Sequence, residues 1–127
     1  MGRRRDTARS TRPEPCPPKP ALRRRPLINA DEAAAAASVF KVLANDTRLR
    51  LLHALCRSGD LCVTDLAAAV GMKPQAVSNQ LQRLVDRGIL GQRRNGSHVH
   101  YRIVDPCATQ LLHHGLCLTQ DASERRP

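Results

Sequence analysis

Aromatic side chains are nearly missing from this chain: its 127 residues hold one Phe, one Tyr and no Trp. Any core must be built from Leu, Val, Ile and Ala, so the apolar area per residue is modest and a second copy would help the chain fold. Long apolar runs are missing too. The stretch Ala33–Ala37 is much too short to cross a bilayer, which takes about 20 apolar residues. The cysteines (Cys16, Cys56, Cys62, Cys107, Cys117) are odd in number and scattered, and the Arg-rich start has no apolar run behind it. These absences argue against a disulfide framework, a secretory signal and a membrane role, and predict a cytoplasmic protein with reduced thiols. Acid is scarce as well: 11 Asp plus Glu face 21 Lys plus Arg, a net charge of +10. That balance points to a polyanionic partner, most often nucleic acid.

The length allows one domain with tails. Residues 1–28 hold nine basic residues, six prolines and almost nothing to make a core, which predicts a disordered basic arm able to grip DNA phosphates without sequence preference. Only Asp6 and Glu14 oppose that charge, so the folded part is far less basic than the whole. Residues 29–120 are expected to form the domain, and 121–127 a polar tail.

Within the domain, Asp31 and Glu32 open an Ala-rich helix reaching Leu43, and Asn45 can cap a second that puts Leu49, Leu52, Leu55 and Cys56 on one face. A short helix over about Val63–Val70 stops at Gly71, and another runs from about Pro74 to Arg87, with Val77, Leu81 and Leu84 on its buried face. Two short helices around a glycine-containing turn have helix-turn-helix dimensions. Ile89–Arg94 and Ser97–Val104 then read as strands around an Asn95-Gly96 turn, a hairpin decorated by Arg93, Arg94, His98 and Arg102. Asp105 can cap a last helix from Pro106 to about Thr119. The expected fold is mainly α with a β-hairpin wing, a winged helix-turn-helix, dimerising through its first and last helices with the stripe Leu111, Leu112, Leu116 and Leu118.

The segments LANDTRLRLLHAL (Leu43–Leu55), DLCVTDLA (Asp60–Ala67), KPQAVSNQLQRLVDRGIL (Lys73–Leu90) and RRNGSHVHYRI (Arg93–Ile103) together resemble the ArsR/SmtB family of metal-responsive repressors, over roughly residues 35–120. The resemblance implies a homodimer bound to the operator DNA of a metal-resistance operon until a metal ion releases it. Its recognition helix would begin near Pro74. The family's S-x-H-L pattern appears as Ser78, Asn79, Gln80 and Leu81, and Lys73, Gln75, Ser78, Asn79 and Gln82 would face DNA. Arg93, Arg94 and His98 of the wing would meet phosphates or a minor groove.

Many family members carry ELCVCDL where this chain reads Asp60-Leu61-Cys62-Val63-Thr64-Asp65-Leu66. One thiolate is kept and the second is Thr64, a poor ligand for a soft ion. Cys107 and Cys117, ten residues apart on the last helix, lie about 15 Å apart along its axis and cannot share an ion within one copy. The antiparallel last helices of the family's dimer could bring Cys107 of one chain towards Cys117 of the other. Whether Cys62 joins them or pairs with Cys16 stays open. The expected ligands are Cys62, Cys107 and Cys117, and the expected inducer is a soft metal: mercury(II) first, with arsenite, cadmium(II) or lead(II) behind it.

A second effector reading is a zinc or cobalt site on the last helix. Asp105 matches the family's Asp-x-His, Cys107 replaces its histidine, and His113 and His114 with Cys117 and Asp121 could complete it. An effector-free architectural DNA-binding protein is a further alternative. An enzyme is not expected, nor a small-molecule substrate: His53 with Cys56, or His113 with Cys117, would need an orienting third group and an oxyanion loop that the sequence does not offer.

Overall fold

The computed structural model describes residues 19–125, with side chains up to residue 120. Most of the expected basic arm and the end of the expected tail lie outside these residues. After a 3₁₀ turn (Leu22–Arg24) the elements are α1 (Ala30–Leu43), α2 (Asp46–Ser58), β1 (Leu61–Cys62), α3 (Val63–Val70), α4 (Pro74–Asp86), β2 (Leu90–Asn95), β3 (His98–Ile103) and α5 (Pro106–Arg125). This is the expected mainly α architecture with a β wing. None of the described helices is long and apolar enough to cross a membrane.

Local chemistry sets the boundaries. Asn29 and Glu32 form a capping box at the start of α1, each side chain accepting from the other's backbone N–H. Asn45 caps α2 by accepting from the Arg48 N–H. Gly71 ends α3 in the left-handed region that favours glycine, and Pro74 opens α4 where its missing N–H costs nothing. Asp105 accepts from the Cys107 N–H at the start of α5. That helix runs on to Arg125, beyond the Thr119 end expected from sequence, because neither Gly nor Pro interrupts residues 116–125.

The sheet differs from the expected hairpin in two respects. A third strand is present: β1 pairs with β3, giving the order β1-β3-β2, all antiparallel. The hairpin loop is also shifted by one residue. Asn95 pairs with His98, so the loop is Gly96-Ser97, with a positive φ at Gly96 and none at any described non-glycine residue. Positive φ at the first loop position only is the pattern of a type II′ turn.

The core joins Leu51, Leu52 and Leu55 of α2 to Leu66 and Val70 of α3, Val77, Leu81 and Leu84 of α4, and Leu90, Tyr101 and Ile103 of the wing. It therefore lies between the helix-turn-helix and the sheet, and fixes α4 against the wing. Helices α1 and α5 flank it with much of their apolar surface uncovered: Phe40 is 57 % exposed, Leu116 43 % and Leu118 66 %.

Candidate DNA-facing surface and thiol positions

Burial of Val77, Leu81 and Leu84 decides which way α4 faces. At about 100° per residue, Gln75, Asn79 and Gln82 fall on the opposite side, with Ser78 beside them. Gln75, Asn79 and Gln82 are exposed and Ser78 is half-buried. The stripe is internally tied: Gln75 Nε2 donates to Asn79 Oδ1 (3.2 Å) and Gln82 Nε2 to Asp86 Oδ1 (2.8 Å). Lys73 stands exposed at the helix start. The five predicted α4 residues thus form one polar surface, rich in amides that can both donate and accept at base edges. Gln80, in the histidine place of the S-x-H-L pattern, turns away from it and accepts from Arg48 Nε (2.8 Å).

The wing residues divide. The side chains of Arg94 and His98 are exposed and make no bond to any described residue. Arg93 instead donates from Nη2 to Asp60 Oδ2 (2.9 Å), while Asp60 Oδ1 meets His100 Nδ1 (2.9 Å). One carboxylate from the α2–β1 loop thus ties β2 to β3. Burial acts to raise the Asp60 pKa, but hydrogen bonds and charge from Arg93 and His100 outweigh it and hold the carboxyl below its ordinary value. The sequence reading did not find this clamp. Its only linear signal is an acidic residue just ahead of β1, and its partners lie 33 and 40 residues away.

The thiols occupy different settings. Cys62 is buried at the junction of β1 and α3, where its Sγ donates to Asp65 Oδ2 (3.3 Å). Cys117 is half-buried on α5, 3.7 Å from His113 Nε2. Cys56 packs on α2, with its Sγ 3.8 Å from Thr109 Oγ1. All three are free thiols. Cys107 is half-buried in the first turn of α5. His113 and His114 contact each other edge to face, 5.3 Å between ring centres. Among the described residues of one protomer, no three Cys, His, Asp or Glu side chains converge as a metal site would require.

An apolar groove of about 370 Å³ runs between α1, α2 and α5, lined by Phe40, Leu43, Leu52, Leu111, Leu112 and Leu116 among others. It holds three of the four leucines expected to form the dimer stripe, while Leu118 lies outside it.

The model of the bacterial regulatory protein, arsR family, matches residues 45–91, from the cap of α2 into β2. The HTH-type transcriptional regulator NmtR of Mycobacterium tuberculosis is 40 % identical over 111 residues, covering 83 % of this chain and 92 % of NmtR. A transcriptional repressor SmtB homolog of Synechocystis is 42 % identical over 79 residues, covering 62 % of this chain and 59 % of the relative, so the chain spans about three fifths of that protein. Among solved structures, the AntR antimony-specific transcriptional repressor is 65 % identical with a TM-score of 0.75, covering 87 % of this chain and 99 % of that one. The homodimeric winged helix-turn-helix DNA-binding domain of Mb0332 from Mycobacterium bovis is 30 % identical with a TM-score of 0.67, covering 80 % and 96 %. These relatives are regulators rather than enzymes, and the chain belongs to the arsR family of bacterial regulatory proteins, the ArsR/SmtB repressors that its sequence resembles.

Proposed function

We propose that the protein is a homodimeric repressor of a metal-resistance operon, released from its operator by a soft thiophilic metal or metalloid held on Cys62, Cys107 and Cys117. The observation that carries this reading is the 65 % identity, across nearly the whole of that chain, to a repressor described as antimony-specific. It moves trivalent antimony, with the chemically similar arsenite, ahead of mercury(II), cadmium(II) and lead(II). All of these suit thiolate ligands. The thiolate donors fit such an ion by their chemistry. Among the described residues one protomer does not bring the three thiols together, and this reading has two copies share the site. The apolar groove of α1 and α5 is the surface on which they meet.

Lys73, Gln75, Ser78, Asn79 and Gln82 would enter the major groove, and Arg94 and His98, with Arg93 behind them, would take phosphates beside it. Release follows from linkage: a metal that prefers a dimer geometry unsuited to the operator must bind less well when DNA is present. Such coupling is typically about 1 to 3 kcal/mol, or roughly 5- to 150-fold in affinity. The 3.7 Å approach of Cys117 to His113 favours a second effector reading, a zinc or cobalt site on α5.

The test is operator binding by the reduced protein, followed by fluorescence anisotropy, while antimonite, arsenite, mercury(II), cadmium(II), lead(II) and zinc are added in turn. Single replacement of Cys62, Cys107 or Cys117 by Ser should leave operator affinity intact and abolish release, whereas Cys56→Ser should change neither. Release of the triple serine variant by the same ions would sink the thiolate sensor and make the α5 zinc site the leading reading.

A further inference from the structure

We propose that an open pocket at the meeting of α1, α2 and α4, beside the amide stripe and lined by no thiol, is a phosphate-binding site. It measures about 500 Å³ and is lined by Lys41, Arg48, Arg83 and Arg87, with Val42 and Asp86. Four cations from three segments of the chain thus face one space, against one carboxylate.

The way two of these cations are held is the main argument. Arg48 donates from Nε to Gln80 Oε1 (2.8 Å) and from Nη1 to the Val42 carbonyl (2.7 Å). Arg87 donates from Nη2 to Ser38 Oγ (2.7 Å) and, at 3.4 Å, to the Ala35 carbonyl. Every one of these acceptors is neutral, so the guanidinium groups are oriented while their charge stays uncompensated. The side chains of Lys41 and Arg83 are exposed and make no bond to any described residue. The single carboxylate, Asp86, accepts from Gln82, and among the described residues none of the four cations is in an ion pair with it. Like charges that line one space repel, and an oxyanion between them relieves the repulsion while accepting charge-assisted hydrogen bonds from preset guanidinium forks.

Helix C-termini attract cations by themselves, and Lys41 and Arg83 lie in the last turns of α1 and α4. That effect reaches Lys41 on α1 and both Arg83 and the C-cap Arg87 on α4. It does not account for Arg48 in the first turn of α2 converging on the same space. Arg83 and the C-cap Arg87 sit about 40 to 140° round the α4 axis from Gln75, Asn79 and Gln82. The phosphate is therefore either one of the DNA backbone, flanking the groove that α4 enters, or a free phosphate-bearing solute.

The test compares the full-length wild type with Lys41→Gln/Arg83→Gln, a pair chosen because neither side chain supports another, and with Arg24→Gln/Arg57→Gln as a charge-matched control elsewhere. One arm titrates pyrophosphate and follows backbone amide shifts of α1 and α4. The other measures binding to an unrelated duplex over a range of salt. The proposal expects saturable pyrophosphate binding in the wild type and the control, weakened roughly tenfold or more in the pocket variant. If the source is DNA, the pocket variant also loses duplex affinity, and its salt slope flattens by about 0.9 per lost phosphate contact, once per protomer. An unchanged duplex slope with lost pyrophosphate binding identifies a free solute. Equal behaviour of pocket and control variants in both arms overturns the proposal. The duplex arm rests on the DNA-binding reading, and a wild type that binds no duplex would refute that reading while the pyrophosphate arm still decides the pocket.

Discussion

The helix-turn-helix half of the molecule and the half made by α1 and α5 bury their apolar residues to very different extents. Leu51, Leu66, Val77, Leu81 and Leu84 have no exposed surface, whereas Phe40, Leu116 and Leu118 of the flanking helices are 43 to 66 % exposed. The first half is a closed core within one chain. The second is a surface whose counterpart is outside the chain, because contiguous apolar exposure on this scale marks an interaction site. The scarcity of aromatics fits this division: a core of Leu and Val holds the DNA-facing elements in register, and the remaining apolar area is left for association.

The sharpest way to break this contrast is to truncate one leucine in each half. Leu81→Ala should cost roughly 2 to 5 kcal/mol in urea unfolding, since it opens a cavity in a fully packed site. Leu116→Ala should cost each folded protomer about 0.5 kcal/mol or less, and act instead on association. With Phe40→Asp added, sedimentation at micromolar concentration should find folded monomers. Equal unfolding costs at the two leucines, with association unchanged in the double variant, would mean that the halves do not differ in the way their burial implies.

The two halves were also unequally legible in the sequence. Helices α3 and α4 could be placed almost to the residue because Gly71 and Pro74 punctuate them and Val77, Leu81 and Leu84 repeat at helical spacing. The amide surface followed from the same period. Strand β1 has only Leu61 and Cys62, too few to show alternation, and the hairpin loop slipped by a residue because Asn95-Gly96 and Gly96-Ser97 are both acceptable turn pairs. Sites made by distant segments left no periodic trace: neither the Asp60 clamp nor the convergence of Lys41, Arg48, Arg83 and Arg87 could be read along the chain. The thiol spacing on α5 was readable, but a site shared by two copies depends on a geometry that one sequence does not encode locally.

A smaller effect sharpens the contrast inside the DNA-facing half, between the free wing tip and the clamped wing base. Arg94→Ala should weaken all duplexes alike and flatten the log–log salt slope by about 2 for a dimer, one phosphate contact per protomer. Arg93→Ala should flatten it less, because that guanidinium already has Asp60 as a partner. It should instead lower thermal stability through the wing. Equal slopes for the two variants in an anisotropy titration would contradict the division of the wing.

The smallest expected effect concerns the clamp itself. The Asp60 carboxyl lies below its ordinary pKa of 3.8 in the folded protein, because Arg93 and His100 outweigh burial. A carboxylate with a depressed folded pKa contributes stability that is present above its unfolded value and is lost as pH falls through the folded one. The side chain is 36 % exposed and its Arg93 partner 52 %, so solvent screening keeps the contribution to about 1 kcal/mol or less. Asp60→Asn should therefore lower the urea midpoint slightly at neutral pH, and the gap from wild type should close as pH falls through the folded pKa. The other carboxylates titrate in both proteins, so the difference isolates Asp60. A gap that widened towards acid would require the Asp60 pKa to be raised, with burial winning over both partners, and the wing base would then be no more firmly held than its tip.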